Sequence, residues 1–93
     1  MANLQSAKKR IKQNDRSRVR NRSRRSVIKT ETRRLLEAIH DGDVQLARSL
    51  FSQVTKTLDQ TAAKGTLHRN AVARQKSRLA KRVNAAVAAK AAA

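Results

Sequence analysis

The chain has 93 residues, with 23 Lys or Arg against 6 Asp or Glu for a net charge of +17, no cysteine, no proline and one aromatic residue, Phe51. That length holds a single domain with a small core, and the lack of cysteine excludes a disulfide framework and a thiolate metal site. Packing must come from Leu, Ile, Val and Ala, which favours helices, and the longest apolar run, 85–89, is too short to span a membrane.

The only two glycines, in Asp41-Gly42-Asp43 and Lys64-Gly65-Thr66, are the strong breaks in the sequence and imply three helical segments. Reading back from Gly42, Ile28, Leu35, Leu36 and Ile39 keep to one helical face. The first helix is expected from about Asn3 to His40. The second stripe, Ala47, Leu50, Phe51, Val54, Leu58 and Ala62, opens on Asp43 as N-cap and closes at Gly65. The third helix is expected to be capped by Thr66. Its sparser stripe is His68, Val72, Leu79, Val83, Ala86 and Val87, running into an Ala-rich tail, 85–93. Period-2 alternation is absent, so the fold class is all-α: a three-helix bundle with a long, protruding basic first helix. The expected division is one domain over 1–93, with a basic arm at 1–26 and the bundle at 27–90. By length alone, helix 1 overshoots helix 2 by about 24 Å, or about 16 residues. The overshoot falls on KKRIKQNDRSRVRNRSRR (8–25), where ten of eighteen residues are basic and the apolar stripe has stopped.

Charge is divided unevenly along the chain. Residues 1–34 carry 13 basic and 2 acidic side chains, 35–63 carry 2 and 4, and 64–93 carry 8 and 0. A solvated face normally mixes both signs, whereas both ends of this chain are cationic, and a polyanion is the partner that neutralises such ends. A membrane surface is disfavoured because the basic stretch 8–25 has no Trp, Phe or Leu to face lipid. Nucleic acid fits better, and the absence of Trp and Tyr points to phosphate and shape contacts instead of base stacking on an aromatic platform. Arg74, Arg78 and Lys81 follow helical spacing opposite the core stripe and form a cationic ridge. Hydroxyls and amides at Ser17, Asn21, Ser23, Ser26, Asn70 and Ser77 can add phosphate contacts. Catalysis finds no support: His40 and His68 stand 28 positions apart without cysteine, and no acid pair sits in an evident apolar pocket. No enzyme activity, metal, cofactor or small-molecule substrate is expected.

The segments 3–10 (NLQSAKKR), 21–26 (NRSRRS) and 62–79 (AAKGTLHRNAVARQKSRL) resemble the bacterial small-subunit ribosomal protein S20 family, and the resemblance spans nearly the whole chain. It implies a three-helix bundle that binds small-subunit ribosomal RNA directly and bridges RNA helices during assembly, as a monomer among other small-subunit components in the cytoplasmic ribosome. The family's RNA-contacting pattern falls on Ser6, Lys8, Lys9, Arg10, Lys12, Asn21, Ser23, Arg25 and Ser26 in the arm. In the second half it falls on Lys64, His68, Asn70, Arg74, Lys76, Ser77 and Arg78. Arg16, Arg20, Arg24, Arg69 and Lys81 complete the candidate RNA-binding set by charge and position. The chain departs from the pattern in carrying Arg where relatives often have Lys in the arm, and in its Ala-rich tail. A nucleoid-type DNA-compacting protein is the alternative that shares the same charge, and a scaffold bundle with incidental charge is the third.

Overall fold

The computed structural model describes the backbone of residues 2–92 and the side chains of residues 6–92. Three helices follow one another, α1 (Ala2–His40), α2 (Val44–Ala63) and α3 (Arg69–Ala92), with no strand among the described residues. The all-α fold expected from the two glycine breaks is therefore present, and α3 carries its helix through the alanines to Ala92.

Both glycines end their helices in the same way. After α1 the amide of Gly42 donates to the Ile39 carbonyl (3.1 Å) and that of Asp43 to Ala38 (3.0 Å); after α2 Gly65 donates to Ala62 (3.0 Å) and Thr66 to Thr61 (3.2 Å). These paired bonds satisfy carbonyls that a helix end leaves open, and they require a left-handed residue. Gly42 and Gly65 supply it, with φ of 75° and 78°. Asp43 then caps α2, its Oδ1 accepting from the Leu46 amide at 3.1 Å.

The third helix starts differently from the sequence expectation. Thr66 does not cap α3: it is buried, and its amide belongs to the turn that ends α2. His68 is the cap, its Nδ1 accepting from the Asn70 amide (3.1 Å) and its carbonyl from Val72 (3.1 Å). His68 is accordingly exposed and leaves the apolar stripe, where Leu67 packs instead. The physical reason is that the turn after α2 consumes both Gly65 and Thr66, which moves the start of α3 by two residues.

The core joins Ile28, Leu35 and Ala38 of α1, Ala47, Val54 and Leu58 of α2, and Val72, Leu79 and Val83 of α3. Leu36, Ile39, Leu50, Phe51, Ala62 and Val87 pack on it from the side, so nearly all of the apolar stripes read from the sequence converge. α2 lies in the middle and touches both neighbours extensively, whereas α1 and α3 barely meet. The molecule is long and thin, 72 × 21 × 13 Å, with a radius of gyration of 18.4 Å. A compact domain of this length would have a radius of gyration near 12 Å, so the excess measures how far α1 reaches beyond the core.

Candidate nucleic-acid interface

On α1 the bundle-facing positions repeat as 38, 35, 31, 28, 24, 21, the alternating steps of three and four that keep a helix face turned to its partner. Ala38, Leu35 and Ile28 are apolar; Arg24 and Asn21 continue the same face as polar groups. There the face ends in a node. The buried Thr66 hydroxyl donates to Asn21 Oδ1 at 2.8 Å and accepts from Arg24 Nη1 at 3.1 Å, while Arg25 Nη2 donates to the Thr66 carbonyl at 3.4 Å. The last turn of the basic stretch is thus held against the α2–α3 connection. Residues 2–20 run past it for roughly 28 Å of helix, close to the overshoot computed from lengths.

Beyond the node every candidate contact residue in the arm, Ser6, Lys8, Lys9, Arg10, Lys12, Arg16 and Arg20, is exposed. At 100° per residue these cations occupy the whole circumference: Arg16 and Arg20 lie on one side, Arg18 and Arg22 on the other. Ser23, Arg25 and Ser26 are exposed as well, but Asn21 and Arg24 are half-buried and spend hydrogen bonds inside the protein. On the other two elements Lys64, His68, Arg69, Asn70, Arg74, Ser77, Arg78 and Lys81 are exposed. Lys76 differs: its Nζ lies 3.0 Å from Asp59 Oδ1 and 3.3 Å from Oδ2, an ion pair that ties α3 to α2. Asp59 is one of the few acids in the chain, and its position opposite Lys76 is a tertiary fact that no spacing within α3 reveals.

Between α1 and α3, where the two helices part, runs a trough of about 620 Å³. Leu36, Leu67 and Leu79 form its floor with Ile28; Arg25, Lys29 and Arg33 line one bank, Arg78 and Arg82 the other. Arg25 of the arm and Arg78 of α3 therefore share one concave surface, while Arg74 lies outside it. Lys29, Arg33 and Arg82 were not among the residues singled out by sequence, and neither were Arg18 and Arg22. The signal existed: positions 18, 22, 25, 29 and 33 follow the three-or-four spacing of a single helix face, and all five are basic. The described residues contain no group of His, Cys, Asp or Glu able to hold a metal, and no helix long and apolar enough to cross a membrane.

The family model for ribosomal protein S20 matches residues 2–84, leaving the Ala-rich tail outside. The small ribosomal subunit protein bS20 of Oceanobacillus iheyensis is 45% identical over 85 residues, covering 91% of this chain and 99% of that protein. Those of Pseudoalteromonas atlantica and Clostridium botulinum are also 45% identical over 85 residues, each covering 91% of this chain and 98% of its own length. With both the family match and these relatives extending over almost the entire chain, the protein belongs to the ribosomal protein S20 family.

Proposed function

We propose that the chain is a structural component of the small ribosomal subunit that binds its ribosomal RNA directly, through phosphates and shape, and holds neighbouring RNA segments together during assembly. The observation that carries this reading is the arm. It is a single helix projecting roughly 28 Å from the core with cations on all sides, and one flat anionic surface could engage only a fraction of them. A helix lying between phosphodiester backbones uses them all. Phosphates supply the charge that offsets like-sign repulsion along the arm, and the guanidinium forks at Arg16, Arg20 and Arg25 suit bidentate contacts. Arg74, Arg78 and Lys81 on α3 add a second cationic ridge, Arg78 sharing the trough with Arg25, and Arg69 stands at the start of the same helix; Ser6, Ser23, Ser26, Asn70 and Ser77 are neutral donors.

The bundle sets the angle between these surfaces; it contributes no chemistry of its own, and the reading includes no cofactor. The protein would act as a monomer within the ribosome, in the cytoplasm, beside other small-subunit components. The test is a binding titration at matched salt with a fragment of small-subunit ribosomal RNA and a DNA duplex of equal charge, coupled to hydroxyl-radical footprinting of the RNA. Protection of two or more RNA segments remote in sequence, with tighter binding to RNA than to DNA, supports bridging. Equal affinity for the duplex and a diffuse footprint would replace it with a generic compacting role on DNA.

A further inference from the structure

We infer that the trough between α1 and α3 is a seat for one unpaired nucleotide of the RNA, its base on the leucine floor and its flanking phosphates on the arginine banks. The inference rests on the RNA-binding reading above and specifies what one part of that surface takes. Three observations carry it. The trough's volume of about 620 Å³ falls in the range of roughly 300–1,000 Å³ typical of small-ligand sites, far more than one side chain fills. Its banks are basic on both sides, with no acid among its lining residues. Along each bank the cations step by four residues, Lys29 to Arg33 and Arg78 to Arg82, a rise of about 6 Å that lets successive phosphates of a strand meet successive side chains.

The floor decides the class of occupant. Leu36 and Leu67 are half-buried, and Ile28 and Leu79 are only 7% and 8% exposed, so the floor consists of packed core side chains that leave little apolar surface for anchors to fill. The exposed large apolar side chains, Ile11, Val19, Val27 and Leu46, all lie elsewhere. An amphipathic helix docking in a groove needs deep pockets for its anchor side chains, whereas a nucleobase needs a flat apolar surface and a planar group to lie against. Guanidinium planes serve as stacking partners for unpaired bases, and among the trough's lining residues, which include no aromatic ring, they are the planes available. Arg25 and Arg33 face Arg78 and Arg82 across the floor. The α1 bank also continues into the arm through Arg22 and Arg18, so a backbone entering along the arm is led to the trough.

The test uses the full chain and two RNA hairpins of equal length and charge, one with a fully paired stem and one carrying a single bulged 2-aminopurine. Binding about tenfold tighter to the bulged hairpin, with 2-aminopurine emission rising as the base leaves its neighbours, is the expected result. Arg33→Gln/Arg82→Gln, both at exposed positions, should bring the ratio of the two affinities close to one. Arg16→Gln/Arg20→Gln on the opposite side of the arm should weaken both hairpins alike and keep the ratio. Equal affinity of the unaltered protein for the two hairpins overturns the nucleotide seat and leaves RNA binding standing. Failure to bind either hairpin at low salt overturns both. Binding of an acidic amphipathic helical peptide that Arg33→Gln/Arg82→Gln abolishes, without discrimination between hairpins, would assign the trough to a protein partner instead.

Discussion

Replacing Thr66 by Val keeps the shape of a buried side chain and removes one hydroxyl, and that hydroxyl joins α1 to the α2–α3 connection. It donates to Asn21 Oδ1 at 2.8 Å and accepts from Arg24 Nη1 at 3.1 Å, in a residue only 7% exposed. A neutral hydrogen bond contributes about 1 kcal/mol net and one to a charged group about 1.5 kcal/mol or more. Arg24 is half-exposed and water can partly replace its partner, which brings the total for Thr66→Val to about 2 kcal/mol. With a urea dependence of about 1–3 kcal/mol/M for a domain of this size, the unfolding midpoint should fall by about 1 M while the slope stays the same. Circular dichroism at 222 nm measures the midpoint. Hydrogen exchange of amides 17–25 reads the local consequence, because loss of the node frees the last turn of the arm from the α2–α3 connection. Thr66→Ser retains the hydroxyl and should recover most of the midpoint. A Thr66→Val midpoint within about 0.2 M of the parent, with unchanged exchange at 17–25, would refute the node as a fixing point and make Thr66 merely a packed residue.

Gly65 has φ of 78° with open space where a Cβ would stand. Gly65→Val should therefore destabilise by about 1–2 kcal/mol through backbone strain alone; RNA affinity should drop with it as α3 turns, and unchanged affinity would show that the angle of the Arg74 ridge is set elsewhere. Leu58 is fully buried in the middle helix, so Leu58→Ala should cost about 2–5 kcal/mol in a urea titration, a large part of the stability of so small a domain. Arg78→Gln should weaken RNA binding more than Lys76→Gln, because Lys76 is already engaged by Asp59; an equal loss in filter binding would mean that the ion pair opens on the RNA. If about eight phosphates are contacted, a plot of log affinity against log salt should have a slope between about −5 and −7, and a slope near −2 would contradict an arm engaged along its length.

The helices and their core were legible because each rests on local information. Gly42 and Gly65 mark positions that only a left-handed turn satisfies, and Ile28 and Leu35 on α1, like Val54 and Leu58 on α2, repeat at the spacing of a helical face. The length difference between helices pointed to an overhang of about 16 residues, while the expected arm of 1–26 also took in Asn21, Arg24 and Arg25, which bond to Thr66. The arm's inner boundary was harder to read. Asn21 and Arg24 look like the rest of the basic stretch, and only Thr66, some forty residues later, gives them a different role. His68 was read as an apolar-stripe residue because its spacing to Val72 fits, yet the turn that ends α2 leaves it to serve as a cap. Lys76 resembles its basic neighbours until Asp59 is placed beside it. The trough lies between helices distant in the chain, so its floor and its second bank could not be read from any one segment, although the regular Arg18–Arg33 ridge could have drawn attention to the first.

The node also orders events in time. Asn21 and its partner Thr66 are 45 positions apart, and a chain made from its N-terminus presents the whole basic arm before the hydroxyl that docks its last turn exists. Until then neither α2 nor the core holds the arm, and its cations are open to any polyanion nearby or to a protease. The contacts within α1 and between α1 and α2 can form as the first two-thirds of the chain emerges, whereas docking of the arm must follow the turn at Gly65. Thr66→Val should thus leave early helix formation at its normal rate and speed mainly the release of the docked arm, the behaviour of a contact made after the rate-limiting step of folding.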